Sequence, residues 1–189
     1  MIRYFKKAIP LSIIATGIMA SASFADTFTL RVGSGHPSKP TAYVTNMEKV
    51  LVPNIKKRGA AETNHKVRII EAYAGKIAKV HETLEAVEKG LLDIGSYCVC
   101  FETAKLLPWN FDYFVPFTTS NLETNWAVKH KILKQFPYLT KMLEDKYNQK
   151  FIAMQGFDDY GLGTVKQWQK ASELKGVKVI AAGPNLPWV

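Results

Sequence analysis

Cysteine is scarce in this chain. Two cysteines among 189 residues exclude a disulfide framework. Acidic residues are also in deficit, 16 Asp+Glu against 25 Lys+Arg, which gives a formal net charge of +9. Long apolar runs are missing: the longest, Ala8–Ala22, is broken by Pro10 and falls short of the roughly 20 residues a membrane span needs. A mean hydropathy of −0.07 likewise excludes an integral membrane protein. There is no internal repeat, low-complexity tract or linker. With 47% hydrophobic and 22% charged residues, the composition is that of a globular chain and excludes disordered and fibrous classes.

The excess of cations raises the question of nucleic acid, and the first 25 residues reduce it. Arg3, Lys6 and Lys7 precede the apolar stretch, and Ser23 and Ala25 flank Phe24 in an A-x-A-like cleavage site. Met1–Ala25 therefore reads as a secretory signal peptide, and the expected location is the periplasm. No cysteine lies near the cleavage point to carry a lipid. Removing this segment takes away three cations and no acid, lowering the formal charge from +9 to +6. The expectation is an exported, moderately basic protein that does not span a membrane after cleavage and has no nucleic-acid partner.

Beyond the leader, strands and helices alternate. Thr27–Gly33 alternates around Phe28, Leu30 and Val32 and predicts a first strand. Thr41–Lys57 carries Tyr43, Val44, Met47, Val50, Leu51 and Ile55 at helical spacing, with a bend expected at Pro53. Lys66–Ala72 predicts a second strand. A helix with Ile77, Val80, Leu84 and Val87 on one stripe follows, stopped by Gly90. Leu91–Val99 predicts a third strand. This β-α-β-α-β order implies a mainly parallel sheet with right-handed crossovers.

Leu106–Phe117 predicts a packed aromatic loop. Ser120-x-x-Glu123 reads as a capping box for a helix to about Lys134, with Trp126, Val128, Ile132 and Leu133 as its apolar contacts. Pro137 separates it from a second helix over Tyr138–Tyr147. Phe151–Met154 and Val177–Ala181 predict two more strands, and Gly156–Gly163 a glycine-rich turn able to act as a hinge.

Catalytic patterns are wanting. His81-Glu82 has no second histidine at the H-E-x-x-H spacing, since position 85 is Glu85, so a zinc protease is excluded and a solvated helix face remains. Gly33-Ser34-Gly35 lacks the full dinucleotide fingerprint. No serine sits in G-x-S-x-G, and His36, His65, His81 and His130 have no acid–base partner in sequence. Cys98 and Cys100 lie two apart in the expected third strand, where a mutual disulfide would be strained; two small buried apolar side chains are the expectation. That pair alone lacks further metal ligands. Neither metal nor cofactor is expected.

The unusual residues gather elsewhere. Gly35-His36-Pro37, Ala74-Gly75-Lys76, Ser96-Tyr97 and Gly183-Pro184-Asn185 each follow the carboxyl end of an expected strand. In open α/β sheets ligands bind along that edge, and glycine there admits close backbone approach.

These residues, with several longer stretches, bear a family likeness. Phe28-Thr29-Leu30-Arg31-Val32-Gly33, Ala74-Gly75-Lys76-Ile77, the run Glu82–Gly95, Phe114-Val115-Pro116-Phe117 and Glu173-Leu174-Lys175-Gly176-Val177-Lys178-Val179 occur in the order and spacing of a known receptor group. The chain resembles the solute-binding proteins of TRAP transporters, the DctP-type periplasmic receptors, across nearly all of residues 28–183. The resemblance implies a type II periplasmic-binding-protein-like α/β fold. Residues 26–155 would form a first lobe and 156–189 the hinge and start of a second. It also implies a receptor that captures a small organic acid and delivers it to the TRAP membrane permease subunits, without chemistry on the ligand.

One departure concerns the ligand. The family's Lys-Ile pair is usually followed by an arginine that grips a carboxylate as a bidentate fork; here that position is Ile180. His36, Lys39 and Lys76 are the candidate replacement cations. Tyr97, Phe117, Tyr160 and Trp188 are candidate aromatic walls, and Asp158, Asp159 and Asn185 candidate polar contacts. The other departure is length. Family members run to about twice this length as two lobes, so a truncated receptor is expected, with weak or absent binding and a partly exposed apolar edge where further strands would pair. The alternatives are an exported α/β enzyme with catalytic residues in an absent half, or a non-functional truncated product.

Overall fold

The computed structural model describes residues 26–115, 119–157, 160–181 and 185. The expected signal peptide and the candidates Phe117, Asp158, Asp159 and Trp188 lie outside the described residues. Three strands, β1 (Thr27–Gly33), β2 (Lys66–Ala72) and β3 (Ile94–Gly95), form a parallel sheet in the order β2-β1-β3. Strand β1 pairs with β2 along its whole length, from Thr27 opposite Lys66 to Gly33 opposite Ala72, and with β3 only at Val32 and Gly33. The expected parallel α/β arrangement is therefore present.

The third strand is much shorter than its apolar run predicts, and the reason is local. Arg31 N–H donates to Asp93 Oδ2 at 2.7 Å, while its guanidinium reaches Oδ2 and Oδ1 at 3.0 Å each. The Asp93 carboxylate thus takes a backbone donor that a longer ladder would have used. Beyond Gly95, Ser96 N–H still bonds Gly33 O at 3.0 Å, and then the chain turns into a 3-10 helix over Val99–Glu102.

The crossover from β1 to β2 is one helical rod: α1 (Ala42–Asn46), a π-helical stretch (Met47–Leu51) and α2 (Val52–Glu62). Pro53 has no N–H to give the carbonyl four residues back, and the rod meets this with a wider turn just upstream. Asn54 Nδ2 donates to Val50 O at 2.8 Å. Val44, Met47 and Val52 are buried, and Val32, Met47 and Val52 form one core cluster over the sheet.

The crossover from β2 to β3 starts later than its stripe predicts. A 3-10 turn over Val80–Glu82 leads into α3 (Thr83–Glu88), and Gly90 ends it with φ +67°, a left-handed conformation suited to glycine. Ala72, Ala78, Ala86 and Leu92 pack between this helix and the sheet.

The expected aromatic loop is a 3-10 helix over Leu107–Tyr113. Helix α4 (Leu122–Gln135) is capped by Asn121 rather than Ser120, its Oδ1 accepting from Thr124 N–H at 2.8 Å. Helix α5 (Tyr138–Tyr147) has the expected bounds. Leu84, Leu106, Trp109, Leu139 and Leu143 form the largest buried cluster, joining α3, the 3-10 helix and α5. Trp109 Nε1 donates to Leu139 O at 3.1 Å, so its one polar atom is satisfied inside this core.

Two expected strands are absent. Phe151–Met154 is irregular: Phe151 stacks near Trp109, with ring centroids 5.4 Å apart, so its side chain is packed but its backbone joins no ladder. Val177–Ala181 is also irregular and largely exposed, with no strand beside it among the described residues. Strand-like composition needs a neighbouring edge to become a strand, and among the described residues nothing pairs with the outer edge of β3.

Candidate functional site

The carboxyl end of β3 opens onto a groove of about 2410 Å3. This is larger than the roughly 300–1,000 Å3 of a pocket fitted to one small molecule. Its walls come from the helical rod (Tyr43, Asn46, Met47, Val50), the segment after β3 (Ser96, Tyr97, Cys98), the 3-10 helix over Leu107–Tyr113, α4, residues 151–157 and residues 160–162. Most of this surface is apolar or aromatic.

Polar residues from several elements also line it, among them Asn46, Ser96, Asp112, Gln149 and Gln155, and two more share one face of α4. Asn125 and Lys129, one helical turn apart, both line the groove. Lys129 is buried, and its Nζ lies 2.5 Å from Asp112 Oδ2 and 5.7 Å from the centre of the Phe157 ring. Two of the ammonium's three N–H donors therefore remain for other acceptors. Asn125 Oδ1 is buried with no hydrogen-bond partner. Phe157 stands edge-on to Tyr43, with ring centroids 6.3 Å apart. A cation, an amide and two aromatic rings thus converge on one end of the groove.

Tyr43 links this end to the first strand's loop. Its hydroxyl lies 2.5 Å from His36 Nδ1, and burial pushes its pKa up to about 12. His36 is held below its ordinary pKa, first by burial and then by the nearby His81. This shift favours the neutral imidazole. His36 also packs against Phe101, ring centroids 5.3 Å apart.

Of the residues singled out in sequence, Tyr97, Tyr160, Asn185 and Ile180 line the groove. The Tyr97 hydroxyl donates to Gln149 Oε1 at 3.1 Å, and burial raises its pKa. The Tyr160 hydroxyl is 3.2 Å from that of Tyr113, which ties the chain beyond Phe157 to the 3-10 helix. Ile180 is 96% exposed. His36 stands behind Tyr43 and does not line the groove. Lys39 and Lys76 are exposed and away from it, so neither is placed to replace the family's arginine at this site.

Lys129 is the residue that sequence reasoning missed. Its signal was present: with Asn125, Ile132 and Leu133 it falls at i, i+4, i+7 and i+8 on the inner face of α4. Trp126 and Val128, expected as inner contacts, are about half exposed. A lysine on that stripe is the anomaly.

The expected pair of separate buried cysteines is also corrected. Cys98 and Cys100 are joined in a disulfide. They do not lie on a strand: Cys98 begins the 3-10 turn, which brings the two Cα atoms to 5.2 Å, closer than the roughly 6.7 Å of alternate strand residues.

Among the described residues, no group of three or more His, Cys, Asp or Glu is arranged to hold a metal ion, and no helix is long and apolar enough to cross a membrane. No protein-family model, curated protein or solved structure matches this chain.

Proposed function

We propose that this chain is a solute-binding receptor of the TRAP type, with a type II periplasmic-binding architecture, that captures a small organic acid and releases it unchanged to a membrane permease. The observation that carries the reading is the Lys129 end of the groove, beside the carboxyl edge of a parallel sheet. In open α/β sheets that edge is where ligands bind. Lys129 has N–H donors to spare for a carboxylate, and Tyr43 and Phe157 supply flat apolar walls.

The chemistry favours one kind of acid. Asp112 already neutralises much of Lys129, so a compact dianion would bring two charges to a place offering less than one. An acid with a single carboxylate and an apolar or aromatic body matches the arrangement better. Its head would bond Lys129 and its body would lie against Phe157 and Tyr43. The sequence similarity to TRAP receptors supports the delivery role, and Ile180 at the arginine position agrees with a ligand other than a simple dicarboxylate.

Saturation-transfer NMR on the full chain, with phenylacetate and succinate each at millimolar concentration, tests this and detects weak binding. Transfer to phenylacetate protons, stronger than to succinate and lost in Lys129→Met/Asp112→Leu, is the expected result. No transfer to either acid, or transfer unchanged in the variant, overturns the site; conversion of the acid to a new species overturns the receptor role.

A further inference from the structure

We propose that Cys98 and Cys100 form a thiol-exchange couple, opened and re-formed by a small thiol that enters the groove. The two sulfurs differ in access: Cys98 is half-buried in the groove wall, while Cys100 is buried behind it. An incoming thiolate therefore meets the Cys98 sulfur first. The groove is open enough for a tripeptide-sized thiol.

The bond has little to hold together. It closes over the single residue Val99, and stabilisation by constraint of the unfolded chain shrinks with loop length. The turn is held by other bonds instead. Phe101 N–H donates to Cys98 O at 3.1 Å, Thr103 Oγ1 to Cys100 O at 2.8 Å, and Asn110 Nδ2 to Val99 O at 3.1 Å. With the backbone fixed this way, cleavage leaves both thiols in place to close again. Cys100 N–H also points at Cys98 Sγ, at 3.4 Å, and a donor there favours the thiolate that Cys98 becomes when it is reduced.

The exchange balances in two steps. A thiolate RS⁻ bonds Cys98 Sγ and the electron pair of the broken S–S bond leaves on Cys100, which takes a proton from solvent. A second RS⁻ then bonds the R sulfur, releasing Cys98 as thiolate. The protein disulfide is reduced by two electrons, and two RSH become RSSR.

The test uses the full chain under native conditions in buffers of reduced and oxidised glutathione, with free thiols trapped by N-ethylmaleimide and counted by mass. The expected result is reversible gain and loss of two labels across millimolar glutathione ratios, with an unchanged cooperative melt. Single variants separate the two sulfurs: Cys100→Ser leaves Cys98, which should label at least about tenfold faster than the Cys100 left by Cys98→Ser. Labelling that appears only in denaturant, a reduced chain that no longer melts cooperatively, thiols that oxidised glutathione does not close, or equal rates in the two single variants would each overturn the proposal.

Discussion

The Lys129–Asp112 pair yields an asymmetric prediction. The Lys129 side chain is 7% exposed and that of Asp112 27% exposed, with Nζ and Oδ2 2.5 Å apart. Removing one partner of a buried pair costs about 3–5 kcal/mol, because the survivor is left desolvated without its counter-charge. Asp112→Leu strands the more deeply buried group, so it should cost close to that range. Lys129→Met strands a carboxylate that keeps some water, and the expected loss is smaller, about 2 kcal/mol. In a chain of this size that corresponds to a drop in melting temperature of about 4–8 °C. The double variant replaces two charges by two apolar side chains in an apolar wall and should return to within about 1 kcal/mol of the parent. Urea unfolding of the four proteins, analysed at constant slope, measures all three differences. A double variant as unstable as the sum of the singles, or a Lys129→Met loss exceeding that of Asp112→Leu, would refute the burial argument.

Other consequences are equally direct. His36 has a folded-state pKa below its ordinary 6.5, so the stability it contributes is present above about pH 6.5 and is lost as pH falls toward the folded value. The melting temperature should decline over that interval, and less so in His36→Phe, which keeps the ring contacts with Tyr43 and Phe101. Asp93, held below the usual carboxylate range by Arg31, adds a second acid-sensitive step beginning near pH 4; Asp93→Asn should flatten it in the same melts. A Cβ at Gly35 would run into the backbone of Lys79 and Val80, so Gly35→Ala should lose more than about 2 kcal/mol by urea unfolding. Leu84 is fully buried at the centre of the main cluster, and Leu84→Ala should lose about 2–5 kcal/mol in the same assay.

Elements whose signals are local were legible in the sequence. Thr27–Gly33 alternates, Lys66–Ala72 is rich in β-branched residues and the two form parallel strands as expected, and Tyr138–Tyr147 is bracketed by Pro137 and by Asn148 in a left-handed cap. Signals that depend on a distant partner misled. Phe151–Met154 has strand composition, but Trp109 claims Phe151 for a helical core. Leu91–Val99 is largely apolar, yet the Asp93 carboxylate takes the Arg31 N–H and the chain leaves the sheet after Gly95. At the site, the sequence pointed to the carboxyl edge and to Tyr97, Tyr160 and Asn185, which do line the groove. It favoured His36, Lys39 and Lys76 over Lys129, because the value of a lysine on an inner helical face emerges only once Asp112 and Phe157 come beside it.

The measurement that bears most directly on the receptor reading is a titration of the isotope-labelled full chain with phenylacetate, followed by amide chemical shifts while the acid's own signals are integrated. The account predicts saturable shifts centred on Tyr43, Asn125, Lys129 and Phe157, with all of the acid recovered unchanged. Shifts elsewhere on the surface, no shifts at millimolar acid, or steady loss of the acid would contradict it.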